Sequence, residues 1–181
     1  MGYKYNEDDI LNEAIEAVLE DGISALTYGR LAKRLGIADR SIVYYFPTKT
    51  DLVTRTIFAI GLRLQAILAE AFGDDRLSGD ELIRRAWPPL SSPEADPVFA
   101  VFFELAGRGA ASIPPYDTLA QAVIETWVDW LIPRIDATDQ ASARQVAYAT
   151  VATIDGLLLL RQISGPDAAD AAARSLGITT T

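Results

Sequence analysis

The apolar residues of this chain recur every three or four positions in successive segments, and glycine or proline separates one segment from the next. This period is that of an amphipathic α-helix, whereas a half-buried strand would alternate at every second residue. Asn6 is predicted to cap the first helix and Gly22 to end it. The apolar stripe of that helix comprises Ile10, Leu11, Ala14, Ile15, Val18 and Leu19. No strand pattern or repeat is present in the sequence, so the chain is expected to be all-α.

Two short helices are predicted after the first. Thr27 can cap one of them and Gly36 can end it, which leaves only about two turns. A third helix is expected from Asp39 to Tyr45, stopped by Pro47 because proline cannot continue a helix. The inward positions of the pair are apolar: Leu31, Ala32, Leu35, Ile42 and Phe46.

A long helix from Thr48 to about Phe72 is predicted to connect this first part of the chain to the rest. Beyond Gly73, prolines are expected to divide the chain into helices near 79–87, 97–108 and 116–134, with breaks at Trp87-Pro88-Pro89, Pro93, Pro97 and Pro114-Pro115. A last long helix begins near Gln140 and is apolar around most of its circumference, so it must be buried on more than one side. A final helix is expected from Asp167 to about Leu176, followed by a frayed tail.

Composition excludes many chemistries. The chain has neither cysteine nor histidine, so thiol nucleophiles, disulfides, the usual zinc ligand sets and imidazole acid–base catalysis are absent. No catalytic residue, metal site or cofactor is predicted. The segment MGYKYNEDDI lacks the apolar core of a signal peptide, and apolar runs are interrupted before the roughly 18–20 residues of a membrane span. A soluble cytoplasmic protein is expected.

Charge is unevenly distributed along the chain. The formal net charge is −9 and the pI is near 4.5, which argues against a nucleic-acid partner. Residues 28–55, called the basic segment below, nevertheless hold six basic residues against two acidic ones. The basic segment is either a site for an anionic partner or the solvated surface of ordinary helices.

The predicted second and third helices have the layout of a helix-turn-helix, with polar residues left to face outward. In that motif the first helix braces against the phosphate backbone and the second lies in the major groove, where its side chains reach base edges. The alternative is a three-helix packing unit with a polar surface, in which the tyrosines are half-buried core residues.

The run LTYGRLAKRLGIADRSIVYYFPTKTDLV resembles the amino-terminal domain of the tetracycline-repressor (TetR) family, from about Ile10 to Arg55. The resemblance implies a regulator of transcription, a repressor that binds double-stranded DNA at an inverted-repeat operator as a homodimer. It also implies a helix-turn-helix domain at residues 1–50 and a helical domain at 51–181. The second domain would dimerise and hold a small effector whose binding releases the DNA.

Carried over by position, the resemblance implies phosphate contacts from the second helix, base contacts from the third, and backbone contacts from Tyr45 and Lys49. Lys49 is also expected on physical grounds, since a cation in the first turn of a helix opposes the helix dipole and suits an external anion. Arg40 can offer a bidentate fork to guanine or can pair with Asp39. The candidate DNA-binding residues are Thr27, Tyr28, Asp39, Arg40, Ser41, Tyr44, Tyr45 and Lys49.

Three positions depart from the family pattern: Ala38, Arg40 and Val43. Val43 can touch a thymine methyl group or merely pack. Asp39 would repel DNA unless it caps the third helix or accepts a hydrogen bond from cytosine, and the cap is the favoured interpretation.

Aromatic side chains concentrate around the proline-broken helices, as an apolar effector pocket or ordinary core packing would require. Asp155 lies within an apolar helix, where an unpaired carboxylate is costly, so it needs a partner. The candidate effector residues are Trp87, Phe99, Phe102, Phe103, Tyr116, Trp127, Trp130 and Asp155, and they suggest a hydrophobic or aromatic effector. Helices near 117–134 and 140–163 are the expected dimer interface. The alternatives are a non-regulatory helical small-molecule-binding protein, an enzyme or an interaction adaptor.

Overall fold

A computed structural model describes residues 5–179, and all regular structure in that range is helical. This confirms the predicted all-α class. The 3-10 turns lie at Ile23–Ala25 and Ile132–Arg134, and one isolated bridge joins Leu77 to Ile135. The helices are α1 Glu7–Asp21, α2 Tyr28–Leu35, α3 Asp39–Tyr45, α4 Lys49–Phe72, α5 Gly79–Leu90, α6 Asp96–Ala110, α7 Tyr116–Leu131, α8 Gln140–Ser164 and α9 Pro166–Ser175.

Local chemistry explains the ends of the first helices. Asn6 and Asp9 form a capping box at the start of α1, each side chain accepting from the other residue's backbone N–H at 2.9 Å. Thr27 caps α2, its hydroxyl accepting from the Arg30 N–H at 3.3 Å. Gly36 ends α2 in the left-handed conformation, with φ of 68°, which favours glycine. The predicted caps and ends of α1 and α2 are therefore confirmed.

Contacts group the chain into two compact units. Unit 1 comprises residues 1–63 and 100–119, and unit 2 comprises 64–99 and 120–181, of which the structure describes 5–179. The predicted domains 1–50 and 51–181 stay a prediction. The helices α4, α6 and α7 each continue from one unit into the other, so the prediction of α4 as the connector identified one of three shared helices.

In unit 1, α2 packs against both α1 and α3. The inward positions predicted for α2 and α3 are buried, and Ile42 and Phe46 are fully enclosed, whereas Leu11 and Leu19 of the stripe predicted for α1 are half-buried. Burial of such side chains stabilises a fold by roughly 1.5–3 kcal/mol each. Further fully buried residues of this unit are Ile10, Ile15, Ile23, Leu31, Leu52 and Leu105.

In unit 2, α8 packs against α5 and α9. A Cβ atom at Gly79 would lie only 2.9 Å from the Cγ1 atom of Val146, so glycine permits the close approach of α5 and α8. Arg161 of α8 donates two hydrogen bonds to Asp96, at 2.6 and 3.0 Å, and its side chain is 7% exposed. This bidentate pair, in which the arginine is buried, ties the end of α8 to the start of α6.

The predicted end of a helix at Trp87 is wrong, because Pro88 and Pro89 lie inside the last turn of α5. Each proline removes a backbone donor from that turn. Trp87 and Leu90 are nevertheless buried, at 2% and 3% exposure, and this packing holds the turn helical. Tertiary packing outweighs local propensity here.

Helices α4 and α8 are long and apolar enough to cross a membrane by length and composition, contrary to the prediction that apolar runs are interrupted too early. In each helix one third of the apolar window is buried inside the structure. The α4 side chains Leu52, Val53 and Ile57 are buried in unit 1, and Ile154, Leu157 and Leu158 of α8 are buried in unit 2. The same hydrophobicity serves a buried helix of a globular protein.

Candidate nucleic-acid interface

Helices α2 and α3 form a pair of two-turn helices joined at Gly36–Ala38, with apolar residues on the shared inner side. The outward residues of α3 are Asp39, Arg40, Val43 and Tyr44, all of which are exposed, while Ser41 and Tyr45 are half-buried. This is the helix-turn-helix layout that the sequence predicted.

Tyr44 is the most exposed large apolar side chain of α3, at 79%. Its ring meets the Tyr45 ring edge to face, with the two centroids 5.0 Å apart. An exposed aromatic side chain held by its neighbour offers a rigid surface for a partner. Its hydroxyl remains available to hydrogen-bond with that partner.

Helix α4 begins at Lys49, and the hydroxyl of Thr48 caps it by accepting from the Asp51 N–H at 3.0 Å. The Lys49 side chain is exposed at this positive end of the helix dipole. Arg55, nearly two turns further along, lies 4.5 Å from the Phe46 ring centroid and donates to the Tyr45 carbonyl at 3.4 Å. The end of α3 and the start of α4 are thus held together.

Tyr28 and Thr27 lie at the start of α2, where the resemblance implies phosphate contacts. The Tyr28 hydroxyl donates to the Phe46 carbonyl at 2.7 Å, and burial, followed by the charge of Asp51, raises the pKa of Tyr28. Its hydroxyl proton is therefore engaged within the unit. What Tyr28 can offer a phosphate is the backbone N–H at the start of the helix.

The favoured interpretation of Asp39 as a helix cap is wrong. The N-cap of α3 is Ala38, which has no side chain that can accept, and Asp39 is the first residue of the helix. A Cβ atom at Gly29 would lie 3.7 Å from an Asp39 carboxylate oxygen, so this carboxylate lies beside α2. Its charge suits the positive start of α3 without forming a cap.

Three of the six basic residues of the basic segment form ion pairs with carboxylates of α1, which the sequence did not suggest. Arg30 pairs with Asp21, and Arg55 pairs with Glu7. Arg34 binds both Glu13 and Glu20, and these bonds raise the pKa of Arg34 and lower that of Glu20. Glu13 and Glu20 are two helical turns apart and thus share a face, a spacing that could have indicated the pairing.

Three cations of the basic segment remain for an external anion. Lys33, Arg40 and Lys49 are exposed and make no ion pair within residues 5–179. The alternative that Arg40 pairs with Asp39 is therefore not observed in that range. The charge available to a partner is much smaller than the composition of the basic segment indicates.

The predicted effector residues do not lie in one compact unit. Trp87 and Phe99 are buried in unit 2. Trp127 and Trp130 in the same unit meet edge to face with centroids 5.6 Å apart. Phe102 and Phe103, with centroids 5.3 Å apart, and Tyr116 belong to unit 1.

The remaining predicted effector residue, Asp155, lies on α8 in unit 2, and burial raises the pKa of its carboxyl to about 7. A surface hollow of about 410 Å³ in this unit is lined by other residues, among them Arg76, Pro133 and Ala143. The aromatic pocket stays a prediction.

A helix-turn-helix with an exposed aromatic side chain and unpaired cations has the layout of a DNA-binding domain. Residues 10–56 match the family model described as bacterial regulatory proteins of the tetR family. The match covers about a quarter of the chain, so it shows that the amino-terminal part is similar to the DNA-binding part of tetR-family proteins. Because that family is described as regulatory proteins, the match favours the prediction of a regulator over the alternative of an enzyme.

Solved structures resemble the whole chain. A TetR transcriptional regulator from Legionella pneumophila is 22% identical over 97% of each chain, with a TM-score of 0.68. A putative TetR-family transcriptional regulator from Rhodococcus sp. is 18% identical over 95% of this chain and 97% of its own, with a TM-score of 0.74. The multidrug binding protein EbrR, complexed with proflavin, is 24% identical over 93% and 95%, with a TM-score of 0.64. No curated protein matches the sequence.

Proposed function

We propose that this regulator is a cytoplasmic repressor that binds an inverted-repeat operator as a homodimer and releases it when a small effector binds. The observation that carries the proposal is the outer surface of α3 and the start of α4. Arg40, Tyr44 and Lys49 are exposed there, and neither cation is paired within the described range. A major groove accepts a helix of this size, and its edges and phosphates need such donors.

The proposed contacts follow from the chemistry of each side chain. Arg40 reads guanine through its two parallel N–H donors, and Tyr44 and Ser41 contact neighbouring base edges. Lys49 and Tyr45 bind the phosphate backbone. At the start of α2, the Tyr28 N–H and the Thr27 hydroxyl meet a second phosphate. Asp39 is proposed to discriminate against sequences that cannot donate a hydrogen bond to it.

A stripe of α8 supports the proposed dimer. Tyr148, Ala152, Gly156, Leu159 and Ile163 are exposed and recur at helical spacing along this helix. Leu159 is 41% exposed and Ile163 is 75% exposed, an arrangement that a second copy of the helix would cover. The small residues in the middle of the stripe allow close approach of two helices. A two-fold axis here would give the paired recognition helices that an inverted repeat requires.

The proposed effector is hydrophobic or aromatic. Support comes from the aromatic side chains of both units and from EbrR, a structural neighbour that binds proflavin. Proflavin is therefore a suitable first probe, together with a panel of planar aromatic compounds. Effector binding would act by favouring a state with lower affinity for DNA.

The DNA-binding proposal is tested with labelled duplexes from either side of the protein's own gene. Wild-type protein should stay bound to one of these duplexes in the presence of excess scrambled DNA. The region of that duplex that it protects from cleavage should contain an inverted repeat. Arg40→Ala should relax preference at one base pair of each half-site, losing about 1–3 kcal/mol of discrimination there. Lys33→Ala is the matched control, since Lys33 is an unpaired cation of α2 outside the proposed base contacts. Failure of wild type to prefer any duplex would refute the proposal.

The dimer is tested by Ile163→Glu, which places a charge on the exposed stripe of α8. Sedimentation should show a dimer for wild type and a monomer for the variant. Ile113→Glu is the matched control, because Ile113 is also exposed, at 46%, but lies outside α8. A variant that stays dimeric would place the interface elsewhere.

A further inference from the structure

Glu104, on α6, binds the turn between α1 and α2. Its carboxylate accepts from the backbone N–H of Ile23 at 2.8 Å and from the hydroxyl of Ser24 at 3.0 Å. Arg108, one turn along α6, donates to the same carboxylate at 2.7 Å. These four residues, called the Glu104 cluster below, all belong to unit 1.

The shape of the turn fits the carboxylate. Gly22 has φ of 79°, and a Cβ atom there would lie 2.7 Å from a carboxylate oxygen of Glu104. The carboxylate therefore occupies space that only glycine leaves open. Charge-assisted hydrogen bonds to a backbone N–H are stronger than neutral ones, so this contact fixes the turn firmly.

The turn held by Glu104 leads directly into the helix-turn-helix. Ile23 is fully buried and begins the 3-10 turn Ile23–Ala25, and Thr27, four residues after Ile23, caps α2. The position of the Ile23 backbone thus sets where α2 begins. Because α2 packs against α3, the same constraint extends to the outer surface of α3.

Arg108 extends the cluster toward α7. Its guanidinium also donates to the Ser24 hydroxyl and lies 4.8 Å from the ring centroid of Tyr116, the first residue of α7. The Arg108 charge balances that of Glu104 and is held by the Tyr116 ring. One of the predicted effector residues is therefore in contact with the group that holds the helix-turn-helix turn.

We infer that Glu104 is a positioning residue for DNA binding: it fixes the turn between α1 and α2 before DNA is bound. The inference rests on the proposed function. A turn that is already ordered loses less conformational entropy on binding, so the affinity for DNA is higher. Glu104 itself carries the same sign of charge as DNA and makes no phosphate contact, so its effect is on position alone.

The test compares Glu104→Ala, Glu104→Gln and the control Glu70→Ala, which alters an exposed carboxylate of α4. The duplex is the one that wild type retains in the experiment above. Glu104→Ala should weaken binding about tenfold, within the range typical of coupling between sites. The dependence of affinity on salt should keep its slope, because no phosphate contact is lost. The affinity of Glu104→Gln for the duplex should lie between those of wild type and Glu104→Ala. The glutamine amide oxygen can still accept from the Ile23 N–H, but the ion pair with Arg108 is lost.

Hydrogen exchange gives a readout that does not depend on DNA. The Ile23 amide should exchange faster in Glu104→Ala and remain unchanged in Glu70→Ala. Wild-type affinity in both Glu104 variants would overturn the positioning role, as would an unchanged exchange rate at Ile23. Wild type that binds no duplex would instead refute the proposed function, and the exchange rates would still show whether Glu104 fixes the turn.

Discussion

The internal pairing of the basic segment makes a quantitative prediction about salt. Each protomer of the proposed dimer presents three cations that no carboxylate of the described chain pairs, Lys33, Arg40 and Lys49. Three further cations are bound to carboxylates of α1. If those ion pairs persist in the complex, only the unpaired cations replace counterions on DNA, and the salt dependence should be shallow.

The expected slope follows from counting contacts. Each phosphate neutralised contributes about −0.9 to the slope of log affinity against log salt concentration. If all of the about six unpaired cations of the dimer neutralise phosphates, the slope is no steeper than about −5, whereas about twelve would give a slope near −11. Between 50 and 200 mM salt these values correspond to affinity losses of about a thousandfold and about a millionfold.

Fluorescence anisotropy of the labelled operator duplex over a salt series measures this slope. Lys49→Ala should reduce its magnitude by about 2, because each protomer loses one phosphate contact. Arg34→Ala is the matched control and should leave the slope unchanged, since Arg34 already binds Glu13 and Glu20. A wild-type slope near −11, or a loss in Arg34→Ala equal to that in Lys49→Ala, would show that DNA displaces the α1 carboxylates and would refute the reasoning.

Three predictions concern stability. Ile42→Ala should lower the free energy of unfolding by about 2–5 kcal/mol in urea titration, because Ile42 is fully buried, while Val43→Ala beside it should cost far less. Asp96→Ala should cost about 1.5–3 kcal/mol by the same measurement, since it removes the bidentate hydrogen-bond partner of the Arg161 guanidinium, and a neutral effect would contradict that role. Burial raises the pKa of Asp155 from 3.8 to about 7, so the folded state keeps a proton that the unfolded chain gives up. The contribution of Asp155 to the free energy of unfolding should therefore fall as pH rises from about 4 to about 7. Across that window, the melting temperature of Asp155→Asn should rise relative to that of wild type. If the melting temperatures of wild type and Asp155→Asn changed in parallel with pH, the raised pKa of Asp155 would be contradicted.

The helices of the amino-terminal part could be predicted closely because strong local signals mark their ends. Thr27 supplies a cap, Gly36 allows a left-handed turn, and Pro47 prevents α3 from continuing. Each of these residues acts through its own backbone geometry, so the sequence is sufficient to locate the effect. The outward residues of α3 followed from the same helical period.

Features that depend on distant contacts could not be predicted. Pro88 and Pro89 normally break a helix, but the burial of Trp87 and Leu90 overrides that tendency. Glu104 gave no signal in the sequence, because its partner Ile23 is 81 residues away and binds through the backbone. Every residue except proline has a backbone N–H, so the identity of residue 23 does not reveal that it donates to Glu104.

The discontinuity of unit 1 has a consequence for building hybrid regulators. Residues 5–63 pack with 100–119, a segment that includes the fully buried Leu105 and the carboxylate that binds the turn before α2. Grafting only the first 63 residues onto a foreign sensor would remove both. A transferable module with the proposed DNA-binding surface therefore consists of two segments, and a chimera that exchanges specificity has to carry the second along with the first.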